Sequence, residues 1–374
     1  MLRVGILGCR GIPNRYGGFE QFAEHLSLYL VRRGHQVTVY QSSLHPYKEK
    51  TYQGVELIRC YDPENKVGTA GQFVYDLLSI LDSRLRSFDV LLQLGYTSSS
   101  LWFPLHPAGV PLLTNMDGLE WKRSKYGPSV RNFLRWAEGR AARLGGTLIA
   151  DSLGIQDYLL ETYGRPSVFI PYGATVRPAM EEEAAHTVLR ASGLQPGAFY
   201  LVLARMEPDN HIHTLLEGYT LALQARPDLP PLALVGQVSN RFARELRQRY
   251  PDGAAVRWLG GIYEQSRVEA LRQHCAVYFH GHSVGGTNPS LLEAMASGCR
   301  IIAHHNIFNQ SVLGTRGLYF QDAAQLARLL SHPLPFDPAW PDQNRTLIRE
   351  QYAPDLVAGA YEQLMHQCVT GLPG

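Results

Sequence analysis

The chain has 374 residues, 45% of them hydrophobic and 18% charged, and a formal net charge of +2. The length suggests two domains, the composition is that of a soluble globular protein, and the charge gives no support to nucleic-acid binding. The five cysteines are odd in number and scattered, which excludes a readable disulfide framework or zinc spacing and favours buried, reduced thiols. Because Met1 leads directly into an apolar segment and no apolar run reaches transmembrane length, we expect a cytoplasmic protein.

The first half of the sequence alternates short β-rich segments with helical ones. Residues 2–8 predict a buried strand, a Gly-rich loop from Gly8 to Gly18 follows it, and a helix is expected at 19–33. Further strands are predicted at 36–41, 55–60, 89–95, 111–116, 146–151 and 167–174, with helices at 71–87 and 129–144. Such alternation is typical of parallel α/β units.

A polar stretch at 175–198 connects this series to a second one. Strands are predicted there at 199–205, 231–237, 255–261, 276–281 and 299–304, with a further candidate at 317–320 and a closing helix at about 354–369. We therefore predict an α/β protein with two Rossmann-like domains facing a cleft, in which ligands bind at the carboxyl ends of the strands. The expected domains are 1–175 and 176–350, and residues 351–374 are expected to form a helix that packs back toward the first domain.

The most informative segment is HGHSVGGTNPSLLEAMASG, from His280 to Gly298. Asn288 is a good helix N-cap and Pro289 suits the first helical position, so a helix begins here directly after a Gly-rich loop. Its free N–H groups and positive dipole end, preceded by Gly286, form a ready anion site. Glu293 lies one turn further and can reach a sugar hydroxyl attached to that anion. A phosphate held beside a polyol is the chemistry of a nucleotide sugar.

Several segments together resemble a known family. The loop after the first strand reads GxRGIPxxYGGFE from Gly8 to Glu20, and it is followed by DGLEWKR at 117–123, ARMEPDN at 204–210 and GHSVGGTNPSLLEAM at 281–295. In this order and at domain-scale spacing, they resemble the retaining GT-B glycosyltransferases of the GT4 family over nearly the whole chain. The narrower resemblance is to the bacterial rhamnosyltransferase-type branch that opens with the first segment.

The resemblance implies an enzyme that transfers a sugar, with rhamnose suggested by the branch, from a nucleoside diphosphate sugar to a glycan or lipid-linked saccharide acceptor with retention. It places the reaction in cell-surface polysaccharide synthesis, with a dTDP-sugar or UDP-sugar as donor and no cofactor. The second domain would bind the donor and the first the acceptor. No metal is implied, because no DxD-like carboxylate pair ends a strand at a matching place.

Residue roles follow from the matched segments. The donor-binding candidates are Gly17, Gly18, Arg205, Asn210, Gly260, Ile262, Tyr263, Gly286, Thr287, Asn288, Pro289, Ser290, Leu291 and Glu293. The nucleotide base would lie at 260–263, the diphosphate at Arg205 and the N–H groups of 286–290, and the ribose at Glu293. A guanidinium suits the diphosphate because it binds phosphate in a bidentate fork and stabilises developing charge. The alternative for Arg205 is a surface salt bridge with Glu207 or Asp209.

The catalytic candidates are Asp117, Arg205, His282 and Glu293, and the acceptor candidates are Arg15, Tyr16, Glu120 and Lys122. Asp117 could orient or deprotonate the acceptor hydroxyl, but an Asp at a strand end before a glycine is equally often a turn residue. His282 could donate to a phosphate or sugar oxygen, and its alternative is a structural histidine, the interpretation we give to His304 and His305.

Two positions depart from the family's pattern. In the family, the arginine that corresponds to Arg205 is usually followed five or six residues later by a Lys, and this chain has Asn210 and His211 at those positions. The first Glu of the family's E-x7-E motif, which contacts donor-sugar hydroxyls, falls at Gly285. Its loss suggests a donor with a different hydroxyl pattern, such as a 6-deoxyhexose, or a substitute contact from Asn288, Thr287 or His282.

The segment 121–143 holds seven Lys or Arg residues against one Glu, interleaved with aromatic residues. Its helical periodicity predicts a core face, with Arg131 and Arg135 pointing outward. The predicted core residues are Val130, Phe133, Leu134, Ala137, Ala141 and Leu144. The basic surface could contact an anionic membrane at the inner face of the plasma membrane or bind a lipid-linked diphosphate, or it could be an ordinary solvated face.

Two other functions remain open at this point. A sugar-nucleotide 2-epimerase has similar halves, and it would turn over without an acceptor. A non-catalytic nucleotide-sugar-binding subunit would explain Gly285 and Asn210, and it would bind a nucleotide without turnover.

Overall fold

A computed structural model describes residues 1–15, 17–123 and 125–371 of the chain. They divide into two compact units. The first comprises Met1–Lys122, Tyr126–Tyr172 and Pro354–Gly374, and the second comprises Arg123–Lys125 and Gly173–Ala353. Each unit is built around its own sheet.

The sheet of the first unit is formed by the predicted strands and one additional short strand, β3. In chain order the unit contains β1 (Arg3–Leu7), α1 (Gly18–Arg32), β2 (Gln36–Ser42), β3 (Thr51–Tyr52), β4 (Val55–Cys60), α2 (Glu64–Val67), α3 (Gly71–Ser83), β5 (Val90–Leu94), β6 (Leu112–Asn115), α4 (Pro128–Leu144), β7 (Thr147–Ala150), α5 (Leu153–Tyr163) and β8 (Ser167–Phe169). The strand order is β3-β4-β2-β1-β5-β6-β7-β8, parallel apart from the antiparallel pair β3–β4. Val4 of β1 pairs with Val37 on one side and Val90 on the other. A strand covered on both faces needs the apolar sequence that β1 has.

The second unit repeats this architecture with a smaller sheet. It contains α6 (Glu182–Ala191), β9 (Tyr200–Leu203), α7 (Ile212–Ala225), β10 (Leu232–Val235), α8 (Arg241–Arg249), β11 (Val256–Gly260), α9 (Gln265–His274), β12 (Val277–His280), α10 (Pro289–Ala296), β13 (Ile301–His304), α11 (Ile307–Leu313), β14 (Leu318–Phe320), α12 (Ala323–Leu330) and α13 (Trp340–Gln351). The strands run parallel in the order β11-β10-β9-β12-β13-β14, so the candidate strand at 317–320 is confirmed. The prediction of an α/β protein with two Rossmann-like domains is therefore confirmed.

The closing helix, α14 (Pro354–Thr370), belongs to the first unit. Val357, Tyr361 and Met365 on this helix are buried in the same core cluster as Val4 of β1 and Leu26 of α1. Apolar residues three to four positions apart form one face of a helix, which explains this docking.

A polar cluster around Glu362 also holds α14 in the first unit. His35 Nε2 lies 2.8 Å from Glu362 Oε1, and Tyr29 and Arg33 bond the same carboxylate at 3.3 Å. His366 brings a third possible metal ligand close to His35 and Glu362. However, His35 Nδ1 accepts the backbone N–H of Leu2 at 3.0 Å, so the ring proton of neutral His35 must reside on Nε2. That nitrogen donates to Glu362 and has no lone pair for a metal, so the cluster is a structural clamp.

The basic helix α4 is only partly packed as its periodicity predicted. Its buried residues are Leu134, Ala137, Glu138, Gly139, Ala141 and Ala142. The predicted core positions Val130 and Leu144 are wrong, since they are 45% and 44% exposed. They lie in the first and last turns of α4, where the helix has fewer neighbours. Arg135 is exposed as predicted, whereas Arg131 is partly buried. Within the described residues, no helix combines the length and apolarity needed to span a membrane.

Candidate functional site

The strand order of the second sheet brings two loops to one point of its carboxyl edge. From β9 the chain proceeds outward through β10 and β11 and then returns to β12 on the other side of β9. Such a switch point opens a crevice beyond the strand ends, where ligands bind in open α/β sheets. The loop after β9 carries Arg205 and Asn210, and the loop after β12 leads from Gly281 into α10.

The start of α10 has the predicted geometry. Asn288 caps the helix, its Oδ1 accepting the backbone N–H of Ser290 at 2.9 Å, and Pro289 is the first helical residue. Gly298 lies just beyond the helix with φ of +73°, which suits a C-terminal stop. Local signals therefore fixed this helix correctly at both ends.

Not all predicted backbone donors at this helix start are available. The N–H of Ser290 is engaged by the cap, and that of Leu291 bonds the carbonyl of Asn288 at 3.0 Å. In the described part of the chain, no acceptor bonds the N–H groups of Gly286 and Asn288. An anion here would therefore be bound by these two groups, assisted by the dipole of α10.

The loop before α10 follows a path that only glycine allows. Gly285 has φ of +114°, which side chains with a Cβ rarely adopt. At Gly281 a Cβ would lie 2.0 Å from the carbonyl oxygen of Asn210, so the two loops approach at van der Waals contact. The carboxylate that the family resemblance places at 285 is therefore incompatible with this loop without strain.

Glu293 is held by a residue that the sequence did not single out. Arg272, on α9, is 5% exposed, and its Nη2 pairs with Glu293 Oε2. The side chain of Glu293 is 32% exposed. Although burial disfavours the charged form, the Glu293 carboxylate together with Tyr278 and Cys299 more than offsets this and keeps the pKa of Arg272 raised. One carboxylate oxygen is thus fixed, while Oε1 bonds no other described residue.

Arg205 is an exposed cation at the end of β9. Its guanidinium makes no ion pair with Glu207, Asp209 or another carboxylate of the described residues. The salt-bridge alternative for Arg205 is therefore wrong, and its donors are available to a ligand.

Asn210 connects the two loops through its side chain. Its Nδ2 donates to the backbone carbonyl of Arg205 at 2.7 Å, and its Oδ1 lies 2.9 Å from His282 Nδ1. Asn210 is 8% exposed, so this bridge is largely protected from water. The residue at the position of the family's Lys therefore organises the loops, instead of providing a charge.

His211 does not replace the missing Lys as a cation. Its Nε2 bonds the hydroxyl of Ser283 at 3.0 Å, and its ring stacks on His304 with centroids 4.0 Å apart. Burial lowers the pKa of His211 and brings that of His304 to about 4, so both rings are neutral at pH 7. His280 lies deeper, 4% exposed, and burial lowers its pKa to about 3.

The other donor candidates of this unit lie around the same sheet. Gly260 ends β11 with φ of +69°, Ile262 is partly buried, and Tyr263 is 80% exposed. Thr287 and Leu291 are buried, and the hydroxyl of Ser290 lies 2.6 Å from that of Tyr278. Their side chains support the loop, whereas the exposed ring of Tyr263 is available to a ligand.

In the first unit, the Gly-rich loop ends at the start of α1. Gly17 is its N-cap, and a Cβ there would meet nothing nearer than Glu20 Oε2 at 3.7 Å, while one at Gly18 would meet nothing within 4 Å. Packing therefore does not require either glycine, and the helix start is open. Arg15 is exposed, and Tyr16 lies outside the described residues. Arg10 pairs with Glu64 at 2.8 Å, which neutralises its charge.

The acceptor candidates follow β6 in the first unit. Asp117 has φ of +49°, and its N–H donates to Asn115 Oδ1 at 2.9 Å, so it is a turn residue. Its carboxylate also accepts the hydroxyl of Tyr172 at 3.4 Å, so the turn holds it in a defined position. Glu120 is the first and Lys122 the last residue of a short 3-10 turn, and Lys122 Nζ lies 5.4 Å from the centroid of the Trp121 ring.

The structure thus gathers Arg205, Asn210, His282 and the segment 286–293 at the switch point of the second sheet. Gly260, Ile262 and Tyr263 lie beyond its edge strand β11. The remaining candidates belong to the first unit and are divided between the ends of β1 and β6.

Comparison with known proteins gives a family match for the first unit and whole-chain matches for the fold. Residues 1–175 match a family described as a domain of unknown function (DUF1972). A sequence search of the curated proteins finds no match.

Solved structures resemble the chain over nearly its full length. Sucrose-phosphate synthase from Thermosynechococcus elongatus is 18% identical with a TM-score of 0.78, covering 99% of this chain and 100% of its own. HepE from Anabaena, in complex with UDP-glucose, is 13% identical with a TM-score of 0.73 and full coverage of both chains at 100%. A glycosyltransferase from Rickettsia africae is 14% identical with a TM-score of 0.71, covering 98% of each chain. At these identities the likeness shows the fold, and the predicted GT-B fold is confirmed.

Proposed function

We propose that the chain is a glycosyltransferase that moves a sugar from a nucleoside diphosphate sugar to an acceptor hydroxyl. The observation that carries this proposal is the set of groups at the switch point of the second sheet. An unpaired guanidinium (Arg205), an open helix start (Gly286 to Asn288) and a fixed carboxylate (Glu293) lie together there. The bound UDP-glucose of HepE, a protein of the same fold, supports a nucleotide sugar as the ligand.

The chemistry of the donor assigns a role to each group. Arg205 and the N–H groups of Gly286 and Asn288 would bind the diphosphate and stabilise the charge that develops on it as the glycosidic bond breaks. Glu293 Oε1 would accept a ribose hydroxyl while Arg272 holds Oε2. The exposed ring of Tyr263 would contact the base. The phosphate charge is thus balanced by arginine and a helix dipole, and the proposal includes no metal.

The first unit would contribute the acceptor side. Gly17 and Gly18 leave the start of α1 open, where backbone can approach the transferred sugar closely. Asp117, held by Tyr172, is the candidate that orients or deprotonates the acceptor hydroxyl. The resemblance to the GT4 rhamnosyltransferase-type branch leads us to propose retention, rhamnose as the sugar and a glycan or lipid-linked acceptor of cell-surface polysaccharide.

Helix α4 offers a surface for an anionic membrane. Trp136, Arg140 and Arg143 are spaced to share one face, and the exposed Leu144 adjoins them. The Arg140 guanidinium lies 5.5 Å from the Trp136 ring centroid, so aromatic and basic groups are interleaved. This combination suits a membrane interface, and we propose that α4 brings the enzyme to its lipid-linked acceptor. Trp136→Ala should weaken sedimentation with vesicles containing anionic lipid, and unchanged binding would contradict this.

A thermal-shift panel of dTDP, UDP, GDP, ADP and CMP tests the donor site. A ligand that binds only the folded state raises the melting temperature according to its occupancy. We expect dTDP or UDP to stabilise the protein and Arg205→Met to weaken that nucleotide roughly 10- to 100-fold, the value of charge-assisted hydrogen bonds. Arg328→Met, on the exposed side of α12, is the matched control. No shift with any nucleotide would refute the proposal.

The neutral groups Asn210 and His211 also favour a second candidate, a nucleotide-sugar-binding subunit without turnover. Donor consumption in the presence of a lipid-linked acceptor distinguishes the two. Transfer with retention of the anomeric configuration, read by proton NMR, supports the enzyme. Binding of the nucleotide sugar without its consumption in the presence of any acceptor supports the subunit.

A further inference from the structure

His282 begins the loop after β12, and one of its two ring nitrogens is already committed. The amide of Asn210 donates through Nδ2 to the carbonyl of Arg205 at 2.7 Å, which leaves Oδ1 facing His282 Nδ1 at 2.9 Å. An amide oxygen only accepts hydrogen bonds, so Nδ1 of His282 must carry the ring proton. In the neutral ring, Nε2 then has a lone pair and no hydrogen.

The backbone around His282 fixes this arrangement. The carbonyl of His282 accepts Nδ2 of Asn306 at 3.1 Å and Nδ2 of Asn309 at 2.9 Å. Asn309 is 1% exposed, and Gly281 lies against the Asn210 backbone. The backbone that carries the ring is therefore held in place beside Asn210.

The ring also remains neutral under physiological conditions. Burial lowers the pKa of His282 to about 3, the positive charges of Arg123 and Arg205 act in the same direction, and a hydrogen bond with the backbone of Val284 opposes them only in part. A protonated ring would in addition place two positive charges, His282 and Arg205, at the same loop pair.

The lone pair of Nε2 selects the kind of group that can meet it. A diphosphate carries only acceptors at pH 7, so it is attracted by Arg205 but not by an unprotonated nitrogen. A sugar hydroxyl is a donor and fits. We infer that His282 Nε2 accepts a hydrogen bond from a hydroxyl of the sugar attached to the nucleotide, which makes His282 a specificity-determining residue. This inference rests on the proposed function of the same site.

The other side chains of the loop are less suited to this role. Asn288 Oδ1 is engaged by the helix cap, and Thr287 is 4% exposed. Gly285 has no side chain, and its φ disfavours one. His282 is partly exposed, and because its Nδ1 faces Asn210 Oδ1, its ring is the acceptor that this loop presents.

The protonation of the ring can be measured without any ligand. Nitrogen-15 NMR of the imidazoles distinguishes protonated from unprotonated ring nitrogens, and His282→Asn identifies the His282 signals among the 14 histidines. We expect a protonated Nδ1 and an unprotonated Nε2, unchanged down to about pH 5 for a ring of this low pKa. A protonated Nε2 would overturn the inference whatever the protein binds.

The contribution to sugar recognition is read from paired dissociation constants. The ratio of the nucleotide-sugar constant to the nucleotide constant is measured for UDP-glucose with UDP and for dTDP-rhamnose with dTDP. His282→Asn keeps a donor toward Asn210 but lacks the second nitrogen, so it should raise the ratio about 3- to 10-fold for at least one pair, the value of one net hydrogen bond. His282→Gln, whose amide oxygen can reach the position of Nε2, should restore part of this loss.

His332→Gln, an exposed histidine beyond α12, is the matched control and should leave the ratio unchanged. Unaltered ratios for both pairs in His282→Asn, or an equal loss of nucleotide and nucleotide-sugar binding, would overturn the inference. If wild-type protein binds neither UDP nor dTDP, the proposed donor site itself is refuted, and the NMR result still decides the state of His282.

Discussion

Removing the Glu293 side chain should destabilise the protein through the charge it leaves behind. The Arg272 side chain is 5% exposed and that of Glu293 is 32% exposed, so Glu293→Ala leaves a buried guanidinium without its carboxylate partner. Breaking such a pair costs about 3 kcal/mol, at the low end of measured values because Glu293 retains contact with water. For a unit of this size, that corresponds to a fall in melting temperature of about 6–12 °C. Arg272→Met/Glu293→Ala removes both charges together and should recover most of the loss.

Calorimetry of wild type, both variants and a control pair tests this reasoning. The control is the ion pair of Arg241 and Glu245 on the surface of α8, whose side chains are 88% and 58% exposed. Because exposed ion pairs contribute little to stability, Glu245→Ala should leave the melting temperature unchanged. A Glu293→Ala protein that melts with wild type, or a double variant as unstable as the single one, would refute the buried-pair argument. Glu293→Gln keeps an oxygen for Arg272 and is therefore the better variant for binding studies.

Three further predictions concern strain and protonation. Gly285→Glu should lower stability by about 1–2 kcal/mol because of its φ of +114°, whereas Gly253→Glu, in open space, should not; equal melting temperatures would contradict this. Burial raises the pKa of Asp76 to about 7, so the folded chain keeps a proton that the unfolded chain releases above about pH 4. The contribution of Asp76 to stability should therefore fall as pH rises from about 4 to 7, and the free energy of unfolding of Asp76→Asn in urea should gain on that of wild type over this range; a difference that stays constant with pH would refute it. Burial lowers the pKa of His280 to about 3, so below about pH 6.5 only the unfolded chain gains this proton. The contribution of His280 to stability should therefore fall on acidification toward pH 3, so wild type should lose more stability than His280→Leu over this range, and identical pH profiles would count against the assignment.

Much of the fold was predictable because its signals are local. The strand segments, the Asn288 cap and the Gly298 stop depend on residues next to one another in the sequence, and the structure has them where expected. Helix α4 shows the limit of periodicity. The pattern marks one apolar stripe along the whole helix, but neighbours cover only its middle, so Val130 and Leu144 are exposed.

The site was less predictable because its key contacts join distant segments. Arg272 on α9 meets Glu293 on α10 only in the folded unit, and nothing in the sequence around Arg272 marks it. Likewise, the sequence shows at Asn210 only the absence of a cation, because its bridge from Arg205 to His282 forms where two loops meet in the fold. Sequence patterns identify the residue types at a strand end, but the partners of each side chain are set by tertiary packing.

Hydrogen–deuterium exchange with the nucleotide selected by the thermal-shift panel tests the central claim, that the donor is bound at the switch point of the second sheet. Bound nucleotide should slow exchange in the segments 204–211 and 281–293, where Arg205, the open N–H groups and Glu293 lie. Arg205→Met should remove this protection at the same nucleotide concentration. Protection confined to other segments, or protection that persists unchanged in Arg205→Met, would contradict the account.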